Sequence, residues 1–107
     1  MLKLWIDDIR PAPTGYTWCK SVNEAKRVIK FYAVQFGGLM NLVNDIELID
    51  LDHDAGDYAS DGGDYIKLLD WFEEIGYRPR AIHIHSLNPV GVANMRAIIT
   101  RNHWKEI

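Results

Sequence analysis

Three short apolar runs, LKLWI at residues 2–6, IELIDLD at 46–52 and AIHIH at 81–85, each finish in polar chemistry, and helical periodicity fills the chain between them. They end in Asp7 and Asp8, in Asp52, His53 and Asp54, and in His85 and Ser86. Strand alternating with helix predicts a parallel sheet flanked by helices. In such sheets ligands bind at the C-terminal strand ends. The polar clusters fall on that edge.

The helical segments carry their own punctuation. After Asp8 the stretch IRPAPTGY is rich in Pro and Gly and reads as loop, followed by a second short strand over 16–20. Ser21 and Glu24 have capping-box spacing, so a helix starts near Ser21 with Val22, Ala25, Val28, Ile29, Tyr32, Ala33 and Phe36 on one face. Gly37 and Gly38 supply its stop. The loop AGDYASDGG leads to a helix from about Asp64, which turns Tyr65, Leu68, Leu69, Phe72 and Ile75 inward and ends before Gly76. Asn88 and Pro89 suit the cap and first position of a last helix whose Val92, Met95, Ile98 and Ile99 face the core.

Composition narrows the function classes. The 107 residues, 48% hydrophobic and 25% charged, fit one globular domain over 1–107. Twelve basic against fifteen acidic residues give a net charge of −3, which argues against DNA or an anionic membrane as partner. No apolar run approaches the roughly 18 residues a spanning helix needs, and MLKLWIDDIR turns acidic too early for a secretory signal. Cys19 is the only cysteine, so an intrachain disulfide and a cysteine zinc cluster are excluded and the reading is cytoplasmic.

Asp7, Asp8, Asp52 and Asp54 would crowd carboxylates together, an arrangement that a hard divalent ion relieves. Magnesium, which takes few carboxylates plus waters and phosphate oxygens, suits the group, with manganese as substitute. Turn formation alone also uses Asp after strands. An EF-hand reading of DHDAGDYASDGGD fails, because Gly56 and Gly63 occupy ligand positions. His53 and His85 are acid–base candidates, and His83 on the same strand face as His85 is either functional or a hydrogen-bonded core histidine. His103 reads as a surface residue at a helix end.

The segment HSLNPVGVAN sets Ser86, Asn88, Gly91 and Asn94 at a strand end and helix start, where free N–H groups favour a phosphate. Gly91 in the first helical turn implies close approach of a ligand or tight packing. Arg10 is a phosphate clamp candidate, or a salt-bridge partner of Asp7 or Asp54. Neither a Walker A sequence nor GxGxxG occurs.

Taken together, WIDDIRPAPTGY, LDHDAG, GGDYIKLLDW and HSLNPVGVANM resemble the cyclic-phosphate processing receiver-like domain, a small relative of response-regulator receivers found in phages and bacterial conflict systems. The resemblance covers nearly the whole chain. It implies a truncated receiver-like, flavodoxin-like α/β fold with about four parallel strands and about three helices. It places Asp7, Asp8 and Asp52 at the metal positions and Ser86 at the hydroxyl position. The segment after Asp8 is too short for the usual first helix, and no fifth strand with its lysine is expected after Trp104. His53, His85 and Asn88 are additions that phosphoaspartate signalling does not need.

The resulting expectation is a phosphodiesterase-type hydrolase that opens a cyclic nucleotide or cyclic phosphate. Asp7, Asp8 and Asp52 hold the metal, and His53, His85 and Asp54 carry the chemistry. Arg10, Ser86, Asn88, Gly91 and Asn94 bind the phosphate. The rival readings are a module that sequesters a nucleotide intact, a degenerate receiver acting through protein contacts, and zinc hydrolysis by His53, His83, His85 and an Asp.

Overall fold

The computed structural model describes residues 2–35 and 46–107. Four strands, β1 (Leu2–Ile6), β2 (Thr17–Cys19), β3 (Ile46–Leu51) and β4 (Ile82–Ile84), form one parallel sheet in the order β2-β1-β3-β4. Three helices, α1 (Val22–Gln35), α2 (Ile66–Ile75) and α3 (Pro89–Arg101), complete a receiver-like α/β fold of the flavodoxin type.

The route of the chain decides which face is covered. From β2 the chain passes through α1 to β3, and from β3 through α2 to β4, both crossings running in the same direction along the sheet. Right-handed connections therefore put α1 and α2 on one face. Leu2, Leu4, Ile6, Ile49, Leu51 and Ile82 point to that face and share a core with Ile29, Leu68, Leu69, Phe72, Met95 and Ile99. Each of Leu68, Leu69 and Phe72, fully buried, contributes roughly 1.5–3 kcal/mol.

The β1–β2 crossing runs the other way and, as its length predicts, carries no helix. The second sheet face is consequently half-open and polar. Trp18, Trp5, Asp50 and His83 form one row across it, in register from β2 through β1 and β3 to β4. Lys3 pairs with Glu47 on the same sheet, 3.4 Å apart, where β3 bulges against β1.

Local signals explain the boundaries. Ser21 Oγ accepts from the Glu24 N–H at 3.0 Å, and Glu24 Oε1 accepts from the Lys20 N–H at 2.8 Å, which sets the start of α1. The expected stop at Phe36, Gly37 and Gly38 lies outside the described residues. Gly76 ends α2 in the left-handed region, φ 72°. That helix begins at Ile66 rather than Asp64, because Asp64 turns its carboxylate back to the Ala55 N–H, 3.0 Å away. A short 3-10 turn, Gly56–Ser60, shapes the preceding loop. β4 is one residue shorter at each end than the apolar run suggests, and Val92 is only half-buried.

Beside β4 the chain makes a start on the strand position that the sequence reading left empty. The Ile82 N–H donates to Lys105 O and the Ile107 N–H to Ile82 O, both at 2.9 Å. Lys105 therefore stands beside the first residue of β4, at the opposite end of the sheet from Asp7, Asp52 and His85. Among the described residues no helix is long and apolar enough to cross a membrane.

Candidate functional site

At the C-terminal edge, β1 runs directly into Asp7, whose side chain is 1% exposed. Its Oδ1 accepts from the Ile9 and Arg10 N–H groups, both at 2.9 Å, and its Oδ2 faces His85 Nε2 at 2.9 Å. Burial raises the Asp7 pKa, but these hydrogen bonds and the His85 charge overcome it and hold the carboxyl below its ordinary value. β3 delivers Asp52 beside it. Asp7, Asp52 and His85 offer ligand atoms within 4.8 Å of one another.

Asp8 has the opposite electrostatics. Burial and then the charges of Asp7, Asp52 and Asp57 push its carboxyl above the usual range. Gly56 makes this crowding possible. Its φ of 54° and its place against the Asp8 carboxylate leave no room for a Cβ. Tyr65 lies buried near these groups, its hydroxyl donating to Lys20 O at 2.7 Å, and burial together with Asp8, Asp7 and Asp52 pushes its phenol upward.

His85 is held at both ring nitrogens. Nδ1–H donates to Asp50 Oδ1 at 2.6 Å and Nε2–H to Asp7 Oδ2 at 2.9 Å, while the Trp5 ring stacks on it at 3.9 Å and 4°. Burial lowers its pKa, and the Asp50 and Asp7 carboxylates more than reverse this, favouring the imidazolium. His83 Nδ1–H donates to the same Asp50 oxygen at 2.9 Å. Asp50 is raised by burial and, on balance, lowered by these two histidines. The result is a continuous line, Asp7–His85–Asp50–His83, running from the sheet edge to the open face.

His53 is held differently. Its Nδ1–H donates to Asp54 Oδ1 at 2.8 Å, and Nε2 makes no hydrogen bond among the described residues. Asn88 caps α3 by accepting from the Gly91 N–H at 3.0 Å, and its amide donates to Asp54 Oδ1 at 3.2 Å. The His53 hydrogen bond, opposed by slight burial and aided by Asn88, lowers the Asp54 pKa. A Cβ on Gly91 would collide with the His53 ring, with Cδ2 only 2.6 Å and Nδ1 2.7 Å away. Tight packing thus accounts for that glycine.

Arg10 forms neither of the salt bridges considered for it. Its Nη1 donates to His85 O at 2.9 Å, and Trp5 Nε1 donates to Arg10 O at 2.8 Å, so the β1–β2 loop is tied across the strand ends. The exposed guanidinium keeps further donors available. Ser86 Oγ accepts from the Asn88 N–H at 3.1 Å and lines a groove of about 490 Å³ beside α3 with Leu87, Val92 and Arg96. Asn94 is exposed on α3 and shares no hydrogen bond with the site; one turn further along the helix, it has passed the end where N–H groups are free. His83 is hydrogen-bonded to Asp50 but lies outside the core, its side chain 43% exposed, and His103 is exposed beyond the end of α3.

Two members escaped the sequence reading. Asp50 sits inside an apolar run and was absorbed into it; a buried carboxylate in a strand needs partners, which is the signal that could have found it. Asp57 reads as a loop residue in the sequence, and only the fold brings its charge near Asp8.

A family model described as the Cyclic-phosphate processing Receiver domain matches residues 2–101. The chain belongs to that family. The comparisons with curated proteins and with solved structures gave no match. As a cyclic-phosphate processing receiver domain, the chain sets Asp and His groups able to hold a metal at the strand ends and next to them, and covers one sheet face with helices while leaving the other open.

Proposed function

We propose that the protein hydrolyses a cyclic phosphate ester, such as a cyclic nucleotide, at this edge with Mg²⁺ or Mn²⁺ bound. The observation that carries the reading is the His53–Asp54 pair beside the cap of α3, with one imidazole nitrogen fixed and the other without a hydrogen bond among the described residues. Asp8 and Asp52 fit a hard cation. Burial and then the neighbouring charges raise Asp8, a cation would offset those charges, and neither carboxylate is fully used in hydrogen bonds. Asp7 contributes less directly, because both its oxygens already accept.

When bound, the cation would neutralise phosphate oxygens and polarise the phosphorus centre. Arg10 and the Val90 N–H, the amide of the first turn of α3 that neither proline nor the Asn88 cap removes, hold the phosphate. His53 Nε2 takes a proton from the attacking water as the new P–O bond forms. The same proton then passes to the alkoxide released when the ring ester bond breaks. Asp54, accepting from Nδ1–H, keeps the imidazole in the required tautomer. His85, engaged by carboxylates at both nitrogens, is a positioning group that favours the ionised forms of Asp7 and Asp50.

A panel of cyclic mono- and dinucleotides, screened by thermal shift with Mg²⁺ or Mn²⁺ and followed by chromatography of each hit, tests this. The expected result is conversion of a stabilising ligand to the linear phosphate, lost in Asp52→Ala and His53→Ala variants that still fold. Recovery of intact ligand from the metal-loaded protein would replace the hydrolase with a binding module. Lack of stabilisation by any ligand would favour a receiver that works through protein contacts.

A further inference from the structure

The open sheet face carries a donor set unlike the acidic cluster. Asp50 and His83 stand opposite one another in the parallel register of β3 and β4, and His85 follows two residues after His83, so all three project from one face. One ligand atom from each, a carboxylate oxygen and two imidazole nitrogens, lies within 4.8 Å of the others. Two imidazoles with one carboxylate suit Zn²⁺, whereas Mg²⁺ prefers oxygen ligands.

We propose that Asp50, His83 and His85 form a Zn²⁺ site on the open face that adjoins the acidic Mg²⁺ or Mn²⁺ cluster through the His85–Asp7 contact. Two N–H···O bonds of 2.9 and 2.6 Å hold the three side chains together. Zinc bonds of about 2.0–2.1 Å place tetrahedral ligand atoms roughly 3.3 Å apart, so entry of the ion lengthens each of these two contacts by less than about an ångström. The ligands come from two adjacent strands whose register is fixed on the core side by Ile49, Leu51, Ile82 and Ile84.

The surroundings are those of a metal-binding histidine. His85 Nε2 is hydrogen-bonded to the Asp7 carboxylate at 2.9 Å, the outer partner that orients a ligating imidazole. The Trp5 ring, parallel to His85 at 3.9 Å, walls one side. With His83 43% exposed, the fourth position opens toward solvent and leaves room for water. The Zn²⁺ reading does not depend on the hydrolase, since it needs no nucleotide.

Calorimetric titration of chelator-stripped protein with Zn²⁺ in excess Mg²⁺ tests the site. Expected is one ion per chain, with affinity at least about tenfold weaker in His83→Ala and unchanged in Asp8→Asn. In the unmutated protein, imidazole nitrogen resonances of His83 and His85 should shift on Zn²⁺ addition while those of His53 stay. Equal affinity in His83→Ala, loss of affinity in Asp8→Asn, movement of His53 alone, or no Zn²⁺ uptake would each overturn the proposal. Hydrolysis assayed separately with Mg²⁺ keeps failure of this site distinct from failure of the hydrolase.

Discussion

His53 and His85 stand near the same sheet edge, each paired with aspartate, and their surroundings differ in one decisive respect. His85 gives both nitrogens to buried carboxylates, Asp50 and Asp7, and is covered by Trp5. His53 gives one nitrogen to Asp54, whose side chain is 61% exposed, and keeps the other. The first arrangement consumes the titratable group to hold two charges in place. The second leaves one ring nitrogen without a hydrogen-bond partner among the described residues. Proximity of histidine to aspartate therefore does not by itself distinguish chemistry from architecture; the number of committed nitrogens does.

Exchanging each histidine should separate the two roles. His53→Ala is expected to lower turnover by about 10²–10⁴-fold, the range for a lost general acid–base group, with little change in melting temperature. His85→Ala strands Asp7 and Asp50 without their shared cation and should cost about 3–5 kcal/mol of stability. For a domain of this size that lowers the melting temperature by roughly 10 °C or more. Paired melting and turnover measurements on the two variants check both; equal melting temperatures would break the contrast.

Gly91→Ala probes the same difference through the backbone. Alanine is the better helix former, yet its Cβ must displace the His53 ring. A shift of about 1 Å should reduce turnover roughly a hundredfold while the helix stays folded, seen as unchanged far-ultraviolet circular dichroism.

The smallest effect is a pH limb. The His85 pKa is raised above 6.5, so its contribution is complete below that value and fades as pH rises through the higher folded pKa. Asp7 and Asp50, lowered from 3.8, contribute above that value and lose it as pH falls through their folded pKa values. Melting temperature should therefore decline at both extremes. The alkaline limb should vanish in His85→Asn and persist in His53→Ala.

The strand ends, the cap at Ser21 and the start of α3 at Asn88 and Pro89 were legible because each depends on nearby residues. The family resemblance was carried by motifs that lie on those same local signals. What escaped depends on contacts across the sheet. Asp50 meets His85 across 35 positions, and Gly91 meets His53 across the gap between β3 and α3. The occupancy of both His85 nitrogens is likewise a product of two strands and a turn, which no window along the chain contains.

The bridge at Ile82 bears on how copies of this protein meet at high concentration. β2 contributes only three residues to one border of the sheet, and β4 contributes three to the other, one of them already engaged by Lys105 and Ile107. An incoming strand would find few unsatisfied backbone groups at either border. Short, partly occupied borders discourage the edge-to-edge stacking that begins fibril growth, so the sheet can leave one broad face wet without inviting ordered self-association along its rims.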